Sequence, residues 1–131
     1  MNNQSITNDK ILATLDRGNF LRGLLLLIRK DNKINEHEAA AFYKAGEELG
    51  YDKEFCQEAI RNLLRNDHIN NDPPVFHNKI LAEKFLSTGF RLINKDLDSR
   101  NSEIHFLENV AENNGLKDFW NTEIKSFQQF N

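Results

Sequence analysis

The amino-acid sequence predicts an all-α fold: one domain, residues 1–131, forming a helical bundle of about six to seven helices built from two related helix-loop-helix repeats. Three observations lead there. Apolar residues recur three and four positions apart along most of the chain, the period of a half-buried helix. No stretch shows the strict alternation of a strand, and valine occurs only at Val75 and Val110. The third observation is an internal repeat: Phe20–Gly50 and Phe85–Gly115 align without a gap at an offset of 65 residues, with nine of thirty-one positions identical. The nine are Phe20/Phe85, Leu21/Leu86, Leu27/Leu92, Ile28/Ile93, Lys30/Lys95, Asp31/Asp96, Glu38/Glu103, Glu47/Glu112 and Gly50/Gly115. Unrelated segments would agree at roughly two positions.

Taken in order, Ile11, Leu12 and Leu15 open a first helix that ends or bends near Gly18, and Phe20, Leu21, Leu24, Leu25, Leu27 and Ile28 make a second. After a short loop over residues 30–34, Asn35 is placed to cap a third helix, with Glu38 three residues on. Ala41, Phe42, Ala45 and Leu49 stripe that helix, and Gly50 supplies its left-handed stop. Tyr51 and Asp52 start the next, whose apolar face is Phe55, Cys56, Ala59, Ile60, Leu63 and Leu64. Asn70, Asn71, Asp72, Pro73 and Pro74 cannot continue a helix, so the chain crosses between repeats there. Repeat one is thus about residues 20–66, the Asn/Pro-rich crossover 67–76 and repeat two about 77–131. The pattern then replays through Ile80, Leu81, Phe85, Leu86, Leu92 and Ile93, a loop over 96–99, a stripe of Ile104, Leu107, Val110 and Ala111, and a stop at Gly115. Trp120, Ile124 and Phe127 turn inward from the last helix. Each pair of helices is too small to bury its own stripe; two pairs stacked on Phe20/Phe85 and Leu27/Leu92 can.

Bulk properties exclude several classes. The net charge is −3 with 28% charged residues, so the sequence predicts no nucleic-acid partner. Cys56 is the only cysteine, which rules out an internal disulfide and a cysteine-based metal site and suits a reducing, cytoplasmic compartment. It reads as a small buried apolar residue. No basic start precedes an apolar stretch at Met1–Ser5, and the longest apolar run, Leu24–Ile28, is five residues, so neither a signal peptide nor membrane insertion is expected.

Chemistry could sit at the repeated acids. Asp31 and Asp96 each precede a Glu by seven residues, Glu38 and Glu103, and Asp98 adds a third acid to the second copy. Such oxygen-rich loops ligate Ca²⁺ or Mg²⁺; equally, an Asp before a helix and a Glu in its first turn satisfy free N–H groups and the dipole. An EF-hand fails, because the sixth and twelfth positions from Asp31 are Glu36 and Phe42, and from Asp96 they are Asn101 and Leu107. His37-Glu38 lacks the second His of a zinc-protease helix, and His68, His77 and His105 stand at no ligand spacing. With no phosphate loop and no nucleophile elbow, no enzyme is predicted. Arg17, Arg22, Arg29, Lys30 and Lys33 form a basic cluster whose ordinary role is a solvated face and whose alternative is a surface for phosphate or an acidic partner. Tyr43 and Trp120 read as core or as exposed anchors.

The repeated phrase, an apolar helix, Lys-Asp, a Glu in the next helix and a Gly stop, resembles the tellurite-resistance TerB-like family. The residues are Leu25 to Glu38 with Leu49-Gly50, and Leu92 to Asp98 with Glu103 and Asn114-Gly115-Leu116. The resemblance implies a duplicated, all-helical cytoplasmic domain without catalytic activity, in a stress-response setting, holding a divalent cation through acids that here would be Asp31, Glu38, Asp96, Asp98 and Glu103. Asn32 and Leu97 replace the glycine common after the loop Asp, so the carry-over to Asp31 and Glu38 is the firmer one. The alternative is a metal-free module that presents a helical face to a protein partner, and its oligomeric state is left open.

Overall fold

The computed structural model describes residues 3–29, 34, 36–65, 71–93 and 101–124. They form an all-helical bundle with six α-helices and one π-helical turn among the described residues. Helix α1 (Asn3–Arg29) is continuous through Gly18 and spans about 40 Å at 1.5 Å per residue. The expectation of two helices divided near Gly18 is therefore corrected. An isolated glycine in a helix costs only about 1 kcal/mol, and Asp16 and Phe20 on either side of it are buried. Ile11, Leu12 and Leu15, in the N-terminal half of α1, are exposed.

Helices α2 (Glu36–Glu48) and α5 (Asn101–Asn113) end alike. Tyr51 N–H donates to the Gly46 carbonyl at 2.8 Å and Leu116 N–H to Ala111 at 2.7 Å, while Gly50 and Gly115 donate to Glu47 and Glu112 at 3.0 and 3.2 Å. This is the Schellman arrangement, and it requires the positive φ that both glycines adopt, 93° and 68°. Helix α3 (Lys53–Arg65) starts on Asp52, whose Oδ1 accepts Phe55 N–H at 2.7 Å. Phe55 is placed by that cap on the outer face, 51% exposed and stacked on Tyr51 at 4.9 Å, not on the apolar face expected of it. Helix α4 (Lys79–Ile93) starts on Asn78, whose Oδ1 accepts Leu81 N–H at 3.1 Å. Helix α6 (Lys117–Phe119) passes directly into the π-helical turn Trp120–Ile124.

The core sits where α1, α4 and the crossover meet. Phe20 and Phe85, matched at the 65-residue offset, pack edge-to-face at 5.3 Å, and Phe76 of the crossover closes on both, at 6.3 and 5.6 Å. Helix α2 packs on α1 and α5 on α4, with α3 and the α6–π segment completing the two ends. Trp120 and Ile124 are buried as expected, Trp120 against Phe90 at 6.1 Å. Leu63, Leu64 and Phe127 have side chains outside the described residues. No helix among the described residues is long and apolar enough to cross a membrane.

Candidate functional site

The acidic positions come first. Glu38 and Glu103 are each the third residue of their helix, α2 and α5, where a carboxylate faces unpaired N–H groups and the positive end of the dipole. Glu38 is half-buried. Glu103 is only 4% exposed, and its Oε2 accepts the Ser102 hydroxyl at 3.2 Å. Asp31, Asp96 and Asp98 lie outside the described residues, as does Asn35. Among the described residues no three His, Cys, Asp or Glu side chains come together as a metal-binding group. The described donors alone thus do not make a cation site; Glu38 or Glu103 would need the loop acids.

Polar side chains are concentrated instead around the crossover, residues 71–78. Asp16 of α1, 2% exposed, accepts the N–H groups of His77 and Asn78 at 2.8 and 2.9 Å. Asn114, just past α5, accepts Phe76 N–H at 2.8 Å and donates to the Pro74 carbonyl at 3.0 Å. Asn19 donates to the Val75 carbonyl at 3.3 Å, and Arg22 donates to the Asp72 carbonyl at 2.6 Å. Burial pushes the Arg22 guanidinium below its ordinary value, and the Asp72 carboxylate partly opposes that. Within the basic cluster, Arg22 is therefore committed to the fold, and Arg17 bonds Thr14 of its own helix at 3.4 Å.

A hollow of about 320 Å³ opens between α2 and α4. Its floor is apolar: Phe20 of α1, Ala41, Ala45 and Leu49 of the α2 segment, and Leu92 of α4. Among the described residues its rim carries Lys44, Lys84, Arg91 and His37 against one carboxylate, Glu48, which pairs with Lys84 at 3.4 Å. A concave site with an apolar base and a few convergent polar groups is what a ligand requires. The rim is cationic although the chain as a whole is anionic. Of these rim residues only His37 was weighed in the sequence, and there for zinc; Lys44, Lys84, Arg91 and Glu48 did not stand out. The available signal was a difference at the 65-residue offset: Ala41 and Ala45 align with Phe106 and Val110.

No protein-family model, curated protein or solved structure matches the chain.

Proposed function

We propose that this chain is a non-enzymatic, TerB-like helical domain of a stress-response setting that acts by binding a partner in the hollow between α2 and α4. The observation that carries this reading is the pairing of an apolar floor with the cationic rim of Lys44, Lys84 and Arg91. Such a surface suits a group that is apolar at one end and anionic at the other. 4-Phenylbutyrate, an arylalkyl carboxylate, is a suitable probe. Titrated into ¹⁵N-labelled protein, it is expected to shift the amides of Ala41, Ala45, Leu49 and Thr88, and Lys44→Glu/Arg91→Glu is expected to abolish those shifts. Absent shifts, or shifts spread evenly over the molecule, reject the reading.

A second reading places Ca²⁺ or Mg²⁺ at Asp96, Asp98 and Glu103, or at Asp31 and Glu38; the buried carboxylate of Glu103 is what favours it. A ligand bound only by the folded state raises the melting temperature with concentration. A rise in millimolar Ca²⁺ or Mg²⁺ that Asp96→Asn and Asp31→Asn remove supports the cation. No rise, or the same rise in both variants, rejects it.

A further inference from the structure

We infer that the α2–α4 hollow is a docking site for an extended peptide segment of a partner protein, one with an aromatic anchor flanked by carboxylates. The inference rests on the binding role proposed above and names the occupant. Its template lies within the chain. In the second half of the molecule the crossover, Asp72-Pro73-Pro74-Val75-Phe76, lies as non-helical backbone across α1 and the end of α5. Each residue before a proline is held toward extended geometry. Pro74 is buried directly over Gly23, where an added Cβ would lie 2.9 Å from the proline ring, and Phe76 packs on Phe85 at 5.6 Å.

The 65-residue offset carries this binding surface onto the hollow. Asn19, Gly23, Phe85 and Asn114, which touch the crossover, correspond to Lys84, Thr88, Phe20 and Leu49, and all four of those line the hollow. The described residues supply no matching segment there. Ile11 stands where Phe76 would, but it belongs to the continuous α1 and is 51% exposed. Among the described residues, the first half therefore has the groove without a covering segment.

Two further differences indicate the occupant. Ala41 and Ala45 replace Phe106 and Val110, which leaves room for an aromatic anchor. The clamps Asp16 and Arg22 correspond to Leu81 and Ser87, so the polar grip on the crossover is missing from the hollow. Charge takes its place: Lys44, Lys84 and Arg91 stand at the positions of Asn109, Asn19 and Leu26. Three cations beside one carboxylate, among the described residues, favour an acidic peptide.

Two fluorescein-labelled peptides test this by anisotropy against the full chain. One has the crossover sequence Asn71 to His77; the other carries Asn71→Glu and His77→Glu. Saturable binding of the acidic peptide below about 1 mM is expected, tighter than that of its parent and weakened in 0.5 M NaCl by screening. Phe76→Ala in the peptide should remove binding. Lys44→Glu/Arg91→Glu in the protein, at two exposed positions, should weaken it by at least about tenfold. No saturation by the acidic peptide, or unchanged binding in the charge-reversed variant with a native circular-dichroism spectrum, overturns the inference. If 4-phenylbutyrate binds while the peptides do not, only the extended occupant falls; if neither binds, the binding role falls with it.

Discussion

Asp16→Ala is expected to destabilise the fold by about 2–4 kcal/mol, because one buried carboxylate holds the entry to α4. Its two oxygens accept the His77 and Asn78 N–H groups at 2.8 and 2.9 Å, and Asn78 is itself the residue that caps α4. Hydrogen bonds to a charged group contribute about 1.5–3 kcal/mol each, with two on one carboxylate falling short of additive. The negative charge also faces the positive end of the α4 dipole, worth roughly 0.3–1 kcal/mol. For a domain of this size 1 kcal/mol moves the melting temperature by about 3–4 °C, so the variant should melt about 6–16 °C lower. Asp16→Asn keeps one acceptor but turns an amide N–H toward a backbone N–H, and it should lose an intermediate amount. The buried Trp120, the only tryptophan, reports unfolding by fluorescence alongside circular dichroism. Leu15→Ala, one residue away and 52% exposed, is the control and should stay within about 0.5 kcal/mol. Asn114→Ala loosens the same crossover, so the double variant should lose less than the two singles combined. A melting temperature for Asp16→Ala within about 2 °C of the parent would refute the clamp.

Two other outcomes follow from the α2–α3 contact. A Cβ on Gly46 would run into the Cys56 sulfur, so Gly46→Ala should destabilise by about 1–3 kcal/mol, and Cys56→Ala in the same molecule should recover at least half of that. Additive losses in a denaturant double-mutant cycle would show that the clash is not the cause. Burial, with the Asp52 carboxylate adding to it, holds the Cys56 thiol above its ordinary value. The folded state then keeps the thiol proton longer than the unfolded chain does. Its contribution is complete below the unfolded value near about 8.5 and is lost as pH rises through that value toward the folded one. Cys56→Ala should therefore melt with a weaker alkaline decline, and iodoacetamide labelling of the parent at pH 8 should proceed only at the rate of opening. Immediate labelling of the native protein would contradict the burial.

Much of the fold was legible because its causes are local. Gly50 and Gly115 mark helix ends since only a residue tolerant of positive φ closes a Schellman turn, and both do so. Pro73 and Pro74 break the helical run where the chain crosses over. The shared Phe20 and Phe85 point to the core, and the two rings meet there edge-on. Glu38 and Glu103 were legible as helix-start residues, and each stands third in its helix. Gly18 misled because helix propensity is a weak local preference and packing of the flanking Asp16 and Phe20 overrides it. Phe55 misled because its cap at Asp52 sets the angular phase of α3. The site was harder to read: Lys44, Lys84, Arg91 and His37 are ordinary surface residues in sequence and converge only when α2 is set against α4.

From the sequence alone came the helical class, the two Gly stops, the crossover and the aromatic pair at its centre. Periodicity, φ restriction and side-chain size act within a few residues, so each leaves its mark in the order of the chain. The tertiary structure alone decided that Asp16 and Asn114 clamp a segment some sixty and forty residues away, at sequence separations of 61 and 38. It also decided that Lys44, Lys84 and Arg91 meet around a hollow between α2 and α4. Both depend on which helix lies beside which, a choice made by packing across the whole core that no short window of sequence contains.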